Sequence, residues 1–200
     1  MQTGVAIVDT GIYRHRDFGS RITGFVDLVH GKNSVYDDSG HGTHIAGIIG
    51  GDGSASRGRY KGIAPHSALI GVKVLDAQGN GKISDVVEGL RWILEQRERY
   101  NIRVVNISFG TVPDHDVQEE KQLNRQVEQL WDAGIVVAQI AFARPCNPDL
   151  GGIAAGRTLR DMHMDRFQRL IFVGPKIDPI RADLKNLRHS LRLPLWRTAK

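Results

Sequence analysis

The chain has 200 residues, of which 40% are hydrophobic and 24% charged, the balance of one globular domain rather than of a disordered or fibrous protein. Its net charge of +5 comes from residues 139–200, which hold 12 Lys and Arg against 5 Asp and Glu, whereas residues 1–138 hold 15 against 17. The single cysteine, Cys146, excludes an internal disulfide and a cysteine-rich zinc site, and no apolar run approaches the roughly 18 residues of a membrane span.

Four short apolar runs in the first 138 residues predict buried strands, because runs of this length between turn residues are typical of parallel sheets. The runs cover residues 4–8, 68–74, 104–107 and 135–138. Between the first and second runs, the glycine-rich phrase of residues 38–47, which contains His41, leads into a helix of small residues.

Two longer helices are predicted between the remaining runs, since apolar residues recur there at helical spacing. The first is expected to begin at a Ser84 cap, with an apolar face formed by Val86, Val87, Leu90, Ile93 and Leu94. The second has the same spacing at Leu123, Val127, Leu130 and Trp131. Strands that alternate with helices imply an α/β fold, a parallel sheet with helices on both faces, and such sheets carry their chemistry at the carboxyl ends of strands.

Two chemically capable side chains are expected at that edge of the sheet. Asp9 closes the first strand, and His41 follows 32 positions later in the phrase DDSGHGTHIAG. An aspartate there can cap a turn, or it can accept the Nδ1–H of a histidine that acts as a general base. Spacing alone leaves both interpretations open.

The amino-acid sequences of four segments indicate a protein family. VAIVDTGI, DDSGHGTHIAGIIGG, KGIAPHSALIGVKVLDAQGNG and VVNISFG resemble, in this order and spacing, the subtilisin-like serine proteases, and are most similar to the intracellular AprX-like branch. The resemblance covers residues 4–138 and implies a subtilisin-like fold, incomplete at its carboxyl-terminal end. It also implies that Asp9 is the orienting aspartate and His41 the general base.

The same resemblance implies a binding groove for an extended peptide or protein substrate. The floor of its primary specificity pocket matches Ser108, Phe109 and Gly110. The edge strand that pairs with the peptide matches Gly79, Asn80 and Gly81. From the residues alone, a plain turn is an equally good interpretation of this glycine-rich segment.

The resemblance ends near residue 138, and the remaining catalytic groups of the family are not found. Ala143 stands near the position of the family's oxyanion asparagine. The only serine after residue 138 is Ser190, which lies between His189 and Leu191 without flanking small residues. We therefore expect no nucleophile and an inactive, truncated peptidase. Residues 139–200 form a basic, Arg-rich tail of no recognisable fold, and either a shifted reading frame or a replaced segment explains it.

The other histidines give weaker signals. His44 could form a metal site with Asp38, but the family motif has a histidine at this position, so a packed or hydrogen-bonded role is preferred. His15, His30, His66 and His115 have no paired spacing and are expected at the surface. No acidic ligand set has calcium spacing, so we predict no cofactor, and calcium enters by family analogy only.

The sequence thus predicts a subtilisin-like serine endopeptidase by descent. The alternative is a non-catalytic module that binds extended peptides, or an acidic partner through its tail. Twelve scattered basic residues without a recognised motif argue against nucleic acid as that partner. We expect no membrane association, and the absence of a secretory signal pattern predicts a cytoplasmic protein. The oligomeric state is left open.

Overall fold

The computed structural model of the chain describes residues 2–108, 117–139 and 171–172. Its strands are β1 (Gly4–Asp9), β2 (Ile22–Asp27), β3 (Ala68–Lys73), β4 (Ile102–Ile107), β5 (Val136–Gln139) and β6 (Ile171–Phe172). Its helices are α1 (His41–Gly50), α2 (Ile83–Gln96) and α3 (Val117–Asp132). Two short 3₁₀ turns cover Arg16–Phe18 and Ser54–Ser56.

These strands form one sheet in the order β2-β3-β1-β4-β5-β6. The first five are parallel to one another, and β6 is antiparallel to β5. Because β1 lies between β3 and β4, its carboxyl end has neighbours on both sides. The predicted α/β fold with a parallel sheet is confirmed.

The two faces of the sheet carry separate cores, as the alternation of side chains along a strand requires. On one face, Ile7 of β1 and Leu69 of β3 pack with Ile45 of α1. On the other face, Val8 of β1 and Val72 of β3 pack with the apolar stripes of α2 and α3. Asp9 comes two residues after Ile7, so the strand period directs its side chain to the α1 face.

Two details of the predicted helices are wrong. Helix α2 has its N-cap at Lys82, and Ser84 lies inside the first turn, where its hydroxyl contacts Asp85 at 3.3 Å rather than a backbone N–H. Trp131 is 37% exposed, while Leu130 beside it is fully buried. The apolar stripe of α3 therefore faces the sheet through Leu130, and Trp131 lies at its margin.

Strand β2 was not among the predicted strands. Strand β2 lies at the edge of the sheet and is only partly buried. It therefore does not need a continuous apolar run, and Thr23 and Gly24 interrupt its apolar residues. Among the described residues, no helix is long and apolar enough to span a lipid bilayer.

Candidate active site

Asp9 and His41 are hydrogen-bonded at the carboxyl end of β1. The distance from His41 Nδ1 to Asp9 Oδ1 is 2.7 Å. Asp9 is fully buried, whereas the His41 side chain is 26% exposed. A carboxylate can only accept, so His41 donates through Nδ1–H, and Nε2 is the ring nitrogen left for a reacting group.

The Asp9 carboxylate is fixed by its own strand end. Its Oδ1 also accepts the backbone N–H of Thr10 at 2.7 Å, while Oδ2 is buried and has no hydrogen-bond partner among the described residues. The Asp9 carbonyl oxygen accepts the N–H groups of Val74 and Leu75, which follow β3. Both the side chain and the backbone of Asp9 are therefore held by the sheet.

His41 is the first residue of α1, and two glycines allow the helix to begin there. Gly40, the N-cap, has φ +89°, a left-handed conformation that glycine adopts without steric cost. Gly42 lies so close to the segment after β1 that a Cβ atom would overlap the carbonyl oxygen of Gly11. The helix therefore reaches the sheet closely enough for His41 to contact Asp9.

The Asp37 carboxylate organises the start of α1. It accepts the N–H groups of Ser39 and Gly40, and both the N–H and the hydroxyl of Thr43. It also accepts the hydroxyl of Thr10 at 2.9 Å, and Thr10 in turn accepts the N–H of Gly42 at 3.0 Å. One carboxylate thus connects the end of β1 to the first turn of the helix that carries His41.

These contacts shift the acid–base properties of two groups. The pKa of His41 is raised above 6.5, chiefly by the hydrogen bond to Asp9, although partial burial opposes the rise. The negative charges of Asp9 and Asp37 also raise it. Burial by itself would raise the pKa of Asp37, but the hydrogen bonds from Thr43, Gly40 and Thr10 outweigh burial and lower it below 3.8.

Ser108 directly follows β4 and is buried. Its hydroxyl oxygen accepts a 2.5 Å hydrogen bond from the Asn106 side-chain amide, which is also buried. Among the described residues, no hydrogen bond joins Ser108 to His41. Phe109 and Gly110, the other two residues expected at the pocket floor, lie outside the described residues.

The segment expected to pair with a peptide is a turn in this structure, not a strand. Asp76 N–H donates to the carbonyl of Asn80, and Asp76 Oδ1 accepts the N–H groups of Gln78 and Asn80. The turn that follows β3 has Gly79 at φ +83°. Gly81 follows this turn, is exposed, and makes no backbone hydrogen bond within the described residues. The substrate-binding role of Gly79, Asn80 and Gly81 stays a prediction.

Carboxylates near the site are already held by hydrogen-bond donors. Asp37 binds the start of α1, and Asp38 binds the Lys73 ammonium at 2.7 Å. Asp52 accepts the N–H of Ser54. Within the described ranges, no group of three or more His, Cys, Asp or Glu is placed to hold a metal ion.

The remaining histidines are at the surface where they can be described. His15, His30 and His66 are exposed, as predicted, and His115 lies outside the described residues. His44 is also exposed, and its imidazole makes no hydrogen bond within the described part of the chain, so the packed role expected for it is wrong. The first turn of α1 directs His41 to the sheet and His44 to solvent.

Sequence reasoning missed the residues that support the pair. Thr10, Asp37 and Thr43 form the hydrogen-bond network, and Asn106 holds Ser108. Asp37 four residues before His41 is a usable signal, since a carboxylate near the start of a helix can accept the N–H groups that have no partner within the helix. Ala143, which stands near the position of the family's oxyanion asparagine, lies outside the described residues. Ser190 and Cys146 also lie outside them.

Comparison with known protein families gives a match over most of the described region. A model of the subtilase family matches residues 2–144. The chain is 46% identical over 141 residues to serine protease AprX of Bacillus subtilis, an alignment that covers 68% of this chain and 32% of AprX. It is 35% identical to proteinase T of Parengyodontium album, where the alignment covers 68% of this chain and 43% of the relative.

A solved structure gives the same result at the level of the fold. A crystal structure of a cold-adapted subtilisin-like serine proteinase superimposes with a TM-score of 0.53 and 26% sequence identity. The superposition covers 69% of this chain and 45% of that chain. The chain therefore spans less than half the length of these relatives.

Proposed function

Because the chain belongs to the subtilase family, we propose that it provides the aspartate and histidine of a serine endopeptidase site. Asp9 orients the imidazole of His41, and His41 is the general base that takes the proton from a serine nucleophile. The observation that carries the proposal is the 2.7 Å hydrogen bond between His41 Nδ1 and Asp9 Oδ1 at the carboxyl end of the central strand.

The geometry of the pair suits this division of roles. With Nδ1–H donated to buried Asp9, the lone pair of the neutral ring lies on Nε2, where it can accept the hydroxyl proton of a serine. The imidazolium that forms is stabilised by the adjacent carboxylate, and the raised pKa of His41 reflects that stabilisation. The hydrogen-bond network of Asp37 holds the ring in place before reaction, so little reorganisation is needed when the proton moves.

The substrate is an extended peptide. Gly81 presents an exposed backbone without internal hydrogen bonds, which suits pairing with a peptide main chain. Ser108, Phe109 and Gly110 form the floor of the specificity pocket in this proposal. The buried Asn106 amide supports it by fixing the Ser108 hydroxyl.

The 200-residue chain by itself is proposed to be inactive. Ser190, the only serine after residue 138, lies between His189 and Leu191, which does not resemble the glycine-flanked turn of the family's nucleophile. Ser108 is buried and bonded to Asn106, so it is not available as a nucleophile. We retain the boundary near residue 138 and the cytoplasmic location as predictions from the sequence.

A chimera tests the proposed function directly. Residues 1–138 of this chain would be joined to the remaining carboxyl-terminal part of AprX, the relative at 46% identity. We expect the chimera to hydrolyse a peptide substrate and to react with a fluorophosphonate, while the 200-residue chain does neither. In subtilisin, loss of the histidine lowers kcat by about 10⁶ and loss of the aspartate by about 10⁴, so His41→Ala should cost more than Asp9→Ala.

The controls separate chemistry from folding. Glu88→Ala changes an exposed residue of α2 and should leave the activity of the chimera unchanged. If the chimera hydrolyses peptides equally well with His41→Ala, the proposed roles are wrong. Stoichiometric labelling of the 200-residue chain that disappears with His41→Ala would contradict the proposed inactivity.

A further inference from the structure

Lys73, the last residue of β3, has a fully buried side chain. Its ammonium group donates three hydrogen bonds, each 2.7 Å long, to the carbonyl oxygens of Thr10 and Leu75 and to Asp38 Oδ1. A lysine ammonium has three N–H donors, so all of them are used. A buried charge is costly unless it is fully hydrogen-bonded and paired, and Lys73 meets both conditions.

The register of the sheet places this lysine beside the candidate catalytic pair. Lys73 is paired with Asp9 of β1 and with Asp27 of β2 across the parallel ladders. Paired residues in a parallel ladder point to the same face of the sheet, so Lys73 shares the α1 face with Asp9. No ion pair joins Lys73 to the Asp9 carboxylate among the described residues, where its ionic partner is Asp38.

The acceptors of Lys73 belong to the two segments that carry Asp9 and His41. Thr10 directly follows Asp9, and Asp38 precedes His41 by three residues. The ammonium therefore connects the end of β1 to the loop that enters α1. Asp37 makes a second connection between the same segments through the Thr10 hydroxyl, so the two connections hold Thr10 by different atoms.

We propose that Lys73 is a positioning residue of the Asp9–His41 pair, whose ammonium fixes the separation between Thr10 and Asp38 and thereby holds His41 against Asp9. Among the described residues, the Lys73 ammonium makes no hydrogen bond to the Asp9 carboxylate or to the His41 ring, and it takes no part in proton transfer. The inference rests on the proposed function only in treating this pair as the acid–base unit.

Three accounts of Lys73 predict different effects on His41 when the ammonium is removed. If Lys73 positions the pair, its removal loosens the bond to Asp9, which is the main reason that the pKa of His41 is raised, and that pKa falls. If Lys73 acts only as a distant positive charge, its removal favours the imidazolium, and the pKa of His41 rises. If Lys73 contributes only to stability, the pKa of His41 is unchanged while the protein unfolds more easily.

The test uses Lys73→Met in the 200-residue chain, because methionine has a similar shape and no charge. The pKa of His41 is measured by NMR titration of histidine ring protons, with His41→Gln identifying the resonance. We expect a downward shift. An upward shift or no shift overturns the proposal. Ile93→Ala, a substitution in the core on the other face of the sheet, gives a destabilised control in which the His41 pKa should not move.

A double variant covers the case in which Lys73→Met leaves Asp38 unpaired and fails to fold. Lys73→Met combined with Asp38→Asn removes both charges of the ion pair, so the losses act on the His41 pKa in opposite directions and neither charge is left without its partner. A fall in the His41 pKa in this variant supports positioning, and an unchanged pKa refutes it. Asp9→Asn in the same chain tests the pair itself. If Asp9→Asn leaves the His41 pKa unchanged, the proposed function fails, whereas a fall with Asp9→Asn alone overturns only the role of Lys73.

Discussion

The Thr10 hydroxyl donates a 2.9 Å hydrogen bond to the Asp37 carboxylate, although 27 residues separate them in the chain. This contact joins the end of β1 to the residues that cap α1. Asp37 also accepts backbone N–H groups from the first turn of the helix. The position of His41 relative to Asp9 therefore depends on a carboxylate that, among the described residues, forms no hydrogen bond with either of them.

Asp37→Ala should destabilise the protein by roughly 2–3 kcal/mol at neutral pH, because it leaves several partly buried donors without an acceptor. The folded pKa of Asp37 lies below its ordinary value of 3.8. Its stabilising contribution is therefore present above about pH 4 and is lost as the pH falls through the folded pKa. Urea unfolding at pH 7 and at pH 3 measures this, and the gap between the variant and the parent should narrow at the lower pH. Glu88→Ala, at an exposed ion pair, should change stability by less than about 1 kcal/mol.

The Asp9–His41 pair should make stability depend on pH in the opposite direction. The pKa of His41 is raised above 6.5 in the folded protein, so protonated His41 stabilises the fold fully below about pH 6.5. That contribution is lost as the pH rises through the folded pKa. Unfolding free energies of the parent and of His41→Gln, measured between pH 5 and 9, should converge at the alkaline end. A difference that stays constant across this range would show that the hydrogen bond does not favour the imidazolium.

Two glycines of α1 form a matched pair of substitutions. Gly42→Ala should displace the helix, because its Cβ would overlap the carbonyl oxygen of Gly11, and should abolish the activity of the chimera. Gly47→Ala lies in the same helix with nothing within 4 Å of the added Cβ. It should stabilise the protein by about 0.5–1 kcal/mol, since alanine restricts the unfolded chain and favours helix. The thermal unfolding temperature and the rate of peptide hydrolysis distinguish the two substitutions. Equal effects of the two substitutions would contradict the close contact at Gly42.

Ser108→Ala tests whether this serine is a structural group. The substitution removes the acceptor of the buried Asn106 amide, so we expect a loss of about 1–3 kcal/mol in unfolding free energy. Fluorophosphonate labelling of the chimera should be unaffected in yield, because Ser108 is not the nucleophile. Loss of all labelling in a variant that remains folded would identify Ser108 as the reactive residue.

Much of the fold could be predicted from local patterns. The apolar runs predicted β1, β3, β4 and β5, because a buried parallel strand must be nearly continuous in apolar residues. Edge strand β2 has no such run, and its identity depends on pairing with β3. The start of α2 depends on the extended backbone of Lys82, which a search for capping side chains does not detect.

Part of the candidate site could also be predicted from the sequence, and part of it could not. The nearness of Asp9 and His41 follows from a rule about strand ends together with the family resemblance. Lys73 could not be identified as a support, because a lysine at the end of an apolar strand is ordinarily expected to reach solvent. Its burial results from acceptors at Thr10, Asp38 and Leu75, and only the folded register brings them together.

The order of the strands also has a consequence for biosynthesis. Asp9, His41, Lys73 and the three acceptors of the lysine all lie within the first 75 residues, and β1 and β3 are neighbours in the sheet. Every residue that holds the pair is therefore translated before α2 is. His41 and Asp9 therefore depend on no residue after Leu75 for the hydrogen bonds described above, and the two can meet while later parts of the chain are still being synthesised.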